Sequence, residues 1–254
     1  MQSLGDAALT GPGAIAYTST TRVGGNLTLN TGALDLSGSR GSRIAAGGTL
    51  IVNASSANLS GSNLVFGGLT LNLSGSADLS NAQVSTVTNA GGSGDITISA
   101  AGLATTAGTS LLAAHDLTLN LPSLGNIGQL AAGNNLTFNV AGDFYNSPSG
   151  LVFAGNNANL FVGGTLTNDQ GAILADGGLT IRGTTEGQRN AAVTNVSGLI
   201  QSGGDMSILT SNLTNRRSTP PTSPRATLIP YSTNRLRMSR RIPMRFWQWT
   251  LIRI

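Results

Sequence analysis

The residues best suited to chemistry in this chain are few and acidic. Asp95, Asp116 and Asp205 each stand directly before the apolar residue that opens a recurring segment, and Asp143 sits in a similar setting, "AGDF". Aligned on one face, such carboxylates could bind calcium or act as the acid and base of a glycoside-cleaving site. Asp is equally a turn residue, because its short side chain hydrogen-bonds nearby backbone, and this structural reading is favoured. His115, the only histidine, lies in "AHDLTLN" where other units carry Gly or Asn, and it reads as a corner residue rather than a base. With no second His and no Cys, a His-based metal site and a Cys–His nucleophile pair are not expected.

"GGSGDITIS" at Gly91 approaches the calcium nonapeptide G-G-x-G-x-D-x-U-x, but it is one residue short before Asp95 and has no tandem copy. The chain has no Lys, so no G-x-x-x-x-G-K-[ST] phosphate loop can form. The sequons at Asn26, Asn58, Asn72, Asn135 and Asn212 are by-products of a repeat. No catalytic, cofactor-binding or metal-ligating residue is therefore assigned, and no cofactor is expected.

The elements that hold these residues are rungs of a repeat. "GGNLTLN" at Gly24 returns as "GGTLIVN" at Gly47, "GGLTLN" at Gly67, "AHDLTLN" at Ala114 and "GNNLTFN" at Gly133. The first apolar residues of the units are Leu27, Leu50, Leu69, Ile96, Leu117, Leu136, Leu160, Leu179 and Met206, at intervals of 19 to 27 residues. A period in this range marks a solenoid. In each unit the residue two further on is also apolar, which is the spacing of one face of a strand. The residue between is Thr in six units, as suits the outer face. Gly before the strand and Asn after it tolerate the left-handed backbone that a sharp corner needs. Weaker strands, "ALDLSG", "ANLSGSNLVF", "ADLSNAQV" and "GAILAD", fill the rest of the period.

A helical array would show a 3.6-residue period rich in Glu and Lys, whereas Glu occurs once, at Glu186. The expected fold is all-β: a right-handed parallel β-helix of about eight to nine coils, stacked at roughly 4.8 Å. Apolar side chains should form its core, and corner Asn side chains should stack into ladders. No cap is legible at either end, which suggests a piece of something longer.

Composition divides the chain. All fourteen basic residues are Arg, and nine of them fall at or after Arg216; residues 1–215 carry five Arg against ten acids. The overall charge of +4 thus belongs to the tail, and no nucleic-acid partner is expected for the repeats. Residues 1–23 read as a lead-in or partial coil, 24–215 as β-helix repeats, and 216–254 as an Arg- and Pro-rich, disordered tail that is frameshifted or truncated. A basic aromatic surface for membranes or nucleic acid, built on Arg240, Arg241, Arg245, Trp247 and Trp249, is the alternative for that tail. The first thirty residues show no signal peptide, and no apolar run is long enough for a membrane-spanning helix.

The repeats "AGGTLIVN", "AGNNLTFN", "VGGTLTNDQGAILADGGLTIRG" and "SGLIQSGGDMSILTSNLTNRR" resemble the filamentous haemagglutinin family, the exoproteins of bacterial two-partner secretion. That family includes adhesins and contact-dependent growth-inhibition toxins. The resemblance covers residues 24–217 and implies a parallel β-helix in a cell-surface or secreted shaft of a Gram-negative bacterium. It implies export through an outer-membrane transporter partner, with receptors or glycans of host or neighbouring cells as the surfaces met. The leading expectation is a non-enzymatic adhesin shaft. The alternatives are the stalk of a growth-inhibition toxin, a β-helix polysaccharide-degrading enzyme, and a pseudogene fragment without function.

Overall fold

The computed structural model describes residues 1–16, 21–39, 44–89 and 91–218. Expectations for the tail from residue 219 onward, including its Arg and Trp residues, lie outside these. Every regular element among the described residues is a strand.

Spacing by two determines the local structure. Leu27 and Leu29 are fully buried while Thr28 between them is half-buried, and the same alternation runs through Leu117–Leu121 and Leu136–Val140. Parallel pairing then stacks the opening residue of each turn on the next: Ala7, Leu27, Leu50, Leu69, Ile96, Leu117, Leu136, Ala158, Leu179 and Met206. These ten rungs make a parallel β-solenoid. The rung beyond the nine read from the repeats is Ala7–Leu9 on Leu27–Leu29, whose small opening residue gave no signal.

One marker is corrected. The register sets Ala158, not Leu160, between Leu136 and Leu179, while Leu160 stands between Phe138 and Ile181. Ala158 is fully buried. The preceding turn carries Phe138, under Leu160, and Phe144, under Leu166, whose rings meet edge to face at 5.8 Å.

In the later turns each coil carries three strands, for example Leu117–Leu121, Leu124–Asn126 and Gln129–Ala132. Their equivalents stack into sheets of thirteen, five and seven strands. The core is the column of Leu, Ile, Val and Phe enclosed by these faces. A short antiparallel hairpin, Thr88–Asn89 with Gly92–Ser93, interrupts the turn between Leu69 and Ile96 and accounts for its length.

The corners explain the Gly and Asn content. A Cβ on Gly47 would overlap the carbonyl oxygen of Gly24 in the neighbouring rung, and one on Gly155 would overlap that of Gly133. Another corner repeats "DLSG", "NLSG" and "DLSN". There Asp35, Asn58 and Asp78 accept hydrogen bonds from the backbone N–H groups of Ser37, Ser60 and Ser80 at 2.9, 3.0 and 2.8 Å. The following Gly38, Gly61 and Asn81 adopt φ of +60°, +62° and +56°, which Gly and Asn tolerate best.

Candidate functional site

The residue before each opening strand stands at one corner, and upward from Asp6 the column reads Asn26, Thr49, Gly68, Asp95, Asp116, Asn135, Asn157, Gly178 and Asp205. Here a side-chain oxygen on one rung accepts the backbone N–H of the rung above. Asp6 receives Asn26 at 2.7 Å, Asn26 receives Thr49 at 2.8 Å, Asp95 receives Asp116 at 3.1 Å and Asp116 receives Asn135 at 2.9 Å. Asp143 does the same at a different corner, receiving Thr165 at 2.7 Å. These acids satisfy backbone donors that would otherwise be left unpaired at a bend.

Of the acids singled out by sequence, the structure brings Asp95 and Asp116 together, with His115 beside them. Asp143 lies at its separate corner, and Asp205 is four rungs above Asp116. His115 Nδ1 lies 2.8 Å from Asp95 Oδ1 and 3.6 Å from Asp116 Oδ1. On its other side, His115 Nε2 is 3.2 Å from Asn134 Nδ2, which also donates to Asp116 Oδ1 at 2.8 Å. One ligand atom from each of the three residues falls within 4.8 Å of the others. The signal in the sequence was that Asp precedes the opening residue in two successive units, with the sole His adjoining the second.

The electrostatics follow from this contact. The hydrogen bond to Asp95, aided by the charge of Asp116, holds the His115 imidazole above its ordinary value of 6.5. Partial burial pushes the Asp95 carboxyl up, but hydrogen bonds with His115, the Asp116 N–H and Ser93 outweigh it and leave it below the usual 3.8.

Two Asn ladders support the frame. The expected ladder of post-strand Asn is present: Asn53 donates to Asn30 at 2.8 Å, Asn72 to Asn53 at 2.9 Å and Asn139 to Asn120 at 2.7 Å. A second, interior ladder escaped the sequence reading. Asn126 donates to Asn146 at 2.9 Å, Asn146 to Asn168 at 2.8 Å, Asn168 to Asn195 at 2.9 Å and Asn195 to Asn215 at 3.0 Å. Its first three members are fully buried. Its only trace in the sequence is an Asn two to four residues before a Gly, as in "NIG", "NSPSG", "NDQG" and "NVSG".

Parallel rungs, a narrow apolar core and corner ladders define a β-solenoid shaft. Comparison with known proteins narrows this. The chain is 39% identical over 110 residues to the tRNA nuclease CdiA of Escherichia coli O6:K15:H31 (strain 536 / UPEC), covering 42% of this chain and 3% of that protein. The same values hold for the tRNA nuclease CdiA of Escherichia coli strain NC101. It is also 39% identical over 108 residues to an Escherichia coli protein named Toxin CdiA, again over 42% of this chain and 3% of the relative. The shared stretch is thus about 3% of the length of these curated relatives. No family model matches the chain, and no solved structure matches it. The resemblance of the repeats to the filamentous haemagglutinin family is borne out by these CdiA relatives and by the β-solenoid itself.

Proposed function

We propose that the chain is a structural shaft segment of a secreted or cell-surface exoprotein of the filamentous haemagglutinin kind, and that it acts as the stalk of a contact-dependent growth-inhibition toxin. The observation that carries this is the similarity to CdiA toxins in a chain whose described residues build ten stacked rungs. That similarity favours the toxin stalk over the adhesin shaft. The nuclease activity in the relatives' name is a property of those proteins, and the overlap does not carry it here.

The role is mechanical: a stiff rod holds other parts of a longer protein at a distance from the cell. Any affinity of its own is spread over outward Thr and Asn such as Thr97, Thr118, Asn120 and Thr137, which are half-buried on the flat face. A polysaccharide-cleaving enzyme would need several acids along one groove. Of Asp95, Asp116, Asp143 and Asp205, only Asp95 and Asp116 adjoin, and each is engaged in backbone capping. The whole protein's partners in this reading are an outer-membrane transporter and a target-cell surface.

The test is an in-frame removal of whole rungs from the gene that encodes this segment, with surface labelling and co-culture with target cells. The expected outcome is a protein still exported and labelled at the surface, with contact-dependent inhibition weakened as reach is lost. Export of the shortened protein with inhibition unchanged would remove the stalk reading, and depolymerisation of an acidic polysaccharide by the purified chain would replace the structural reading with the enzymatic one.

A further inference from the structure

We infer that the outer face of the seven-stranded sheet is a self-association surface, on which a second copy of this rod lies alongside the first and points the same way. The sheet runs from Asn63–Phe66 at one end to Leu199–Ser202 at the other. Its register lines up the outward residues Leu112, Ala131, Phe153 and Leu174 in one column, with Leu151 and Ala172 beside the last two. Leu112 is 40% exposed, and Val65, lower in the same column, is 46% exposed. Phe153 and Leu174 are half-buried, although no side chain of the core touches an outward position. None of the seven strands contains a charged residue. The thirteen-stranded sheet differs: its outward residues at the equivalent rungs are Thr97, Thr118, Thr137 and Thr180.

Charge and period select the occupant. A face depleted of charge and rich in apolar side chains has the composition of an interface core, and it offers nothing to a partner held by charge, such as nucleic acid or an anionic membrane. A second rod repeats at the same inter-strand spacing of roughly 4.8 Å, so its rungs match this face level by level when two sheets pack about 10 Å apart. The flanks fix the direction. Strands leave this sheet into the corner that carries Asp116, Asp176 and Asp205, and enter it past the uncharged Ile127, Ser149 and Gln170. Antiparallel rods related by a two-fold axis would set acidic edge against acidic edge, about one Debye length apart, whereas parallel rods set each acidic edge against an uncharged one. The parallel arrangement also exchanges the two columns, so that Ala172 meets Leu174 of the other copy, a small side chain against a large one. Seven rungs of four residues present on the order of 400 Å2 per copy. A pair buries roughly 800 Å2, less than the 1,200–2,000 Å2 or so of stable complexes, and the association is therefore weak and reversible.

The experiment is sedimentation equilibrium of the full chain, which should pass reversibly from monomer to dimer as its concentration rises towards about 1 mM. Phe153→Thr combined with Leu174→Thr gives this face the outward residue of the thirteen-stranded sheet. It should leave the circular dichroism spectrum unchanged and weaken pairing by at least about tenfold; Leu112→Thr is the second variant on the same column. Direction is read from spin labels, because the chain has no Cys of its own. Thr70→Cys, Thr137→Cys and Thr180→Cys, labelled singly, stand at three heights on the thirteen-stranded sheet. Parallel rods give the same distance between copies at all three heights. A monomer at about 1 mM overturns the inference, as do undiminished pairing in the folded variants and distances that change with height. Binding to uncharged phosphatidylcholine vesicles without pairing overturns it in favour of a lipid surface.

Discussion

The imidazole of His115 bridges towards carboxylates on two rungs, and its protonation is tied to the folded corner. Because its folded value is raised above 6.5, protonation adds stability that is fully present below the unfolded value and is lost as pH rises through the folded value. The ring resonances of this single histidine should therefore titrate above 6.5 by NMR, and Asp95→Asn should move the midpoint down. The interior Asn ladder makes a different prediction. Asn168 donates to Asn195 and lies within hydrogen-bonding distance of the carbonyls of Gly171 and Leu199. Asn168→Ala strands these acceptors in a buried setting, and thermal or denaturant unfolding should show a loss on the order of 1–3 kcal/mol. The equivalent change at exposed Asn53 should cost much less, since water replaces the lost amide.

A strand here is specified by what flanks it as much as by its own residues. At Gly155 an added methyl group would meet the Gly133 backbone, whereas at Gly125 it meets nothing within 4 Å. Gly155→Ala should thus destabilise by on the order of 1–3 kcal/mol, and Gly125→Ala should be nearly silent in the same unfolding measurement. Leu136→Ala, at a fully buried core position, should cost about 2–5 kcal/mol. The large apolar pairs and the Gly and Asn corners were legible because period and residue type agree there. Ala7 and Ala158 were not legible, since Ala is as common outside as inside and only pairing reveals its column. The His115 cluster was half legible: the residues stood out singly, but their meeting depends on a register that brings residues 20 apart side by side. The interior ladder was hidden because Asn is also the ordinary corner residue, and nothing local distinguishes an amide pointing inward.

Across the whole rod, each turn is hydrogen-bonded to the turns beside it, which makes its stability a sum over neighbours. Removing residues 136–157 takes out one complete rung, including the Phe138–Phe144 pair, and sets Ala158 on Leu117. The shortened chain should fold to a rod about 4.8 Å shorter by small-angle scattering. Removing residues 136–156 instead shifts the pairing by one, turns each buried side chain of the rung outward, and should give a chain that unfolds at markedly lower temperature. The same neighbour-only bonding has a consequence under load. Pulled from its ends, the rod yields at a terminal turn first, and each turn freed releases about 22 residues, or roughly 70–80 Å of extended chain in exchange for about 5 Å of height. Single-molecule stretching should therefore show a train of small, similar steps, and the molecule would serve as a reserve of length between two bodies that are drawn apart.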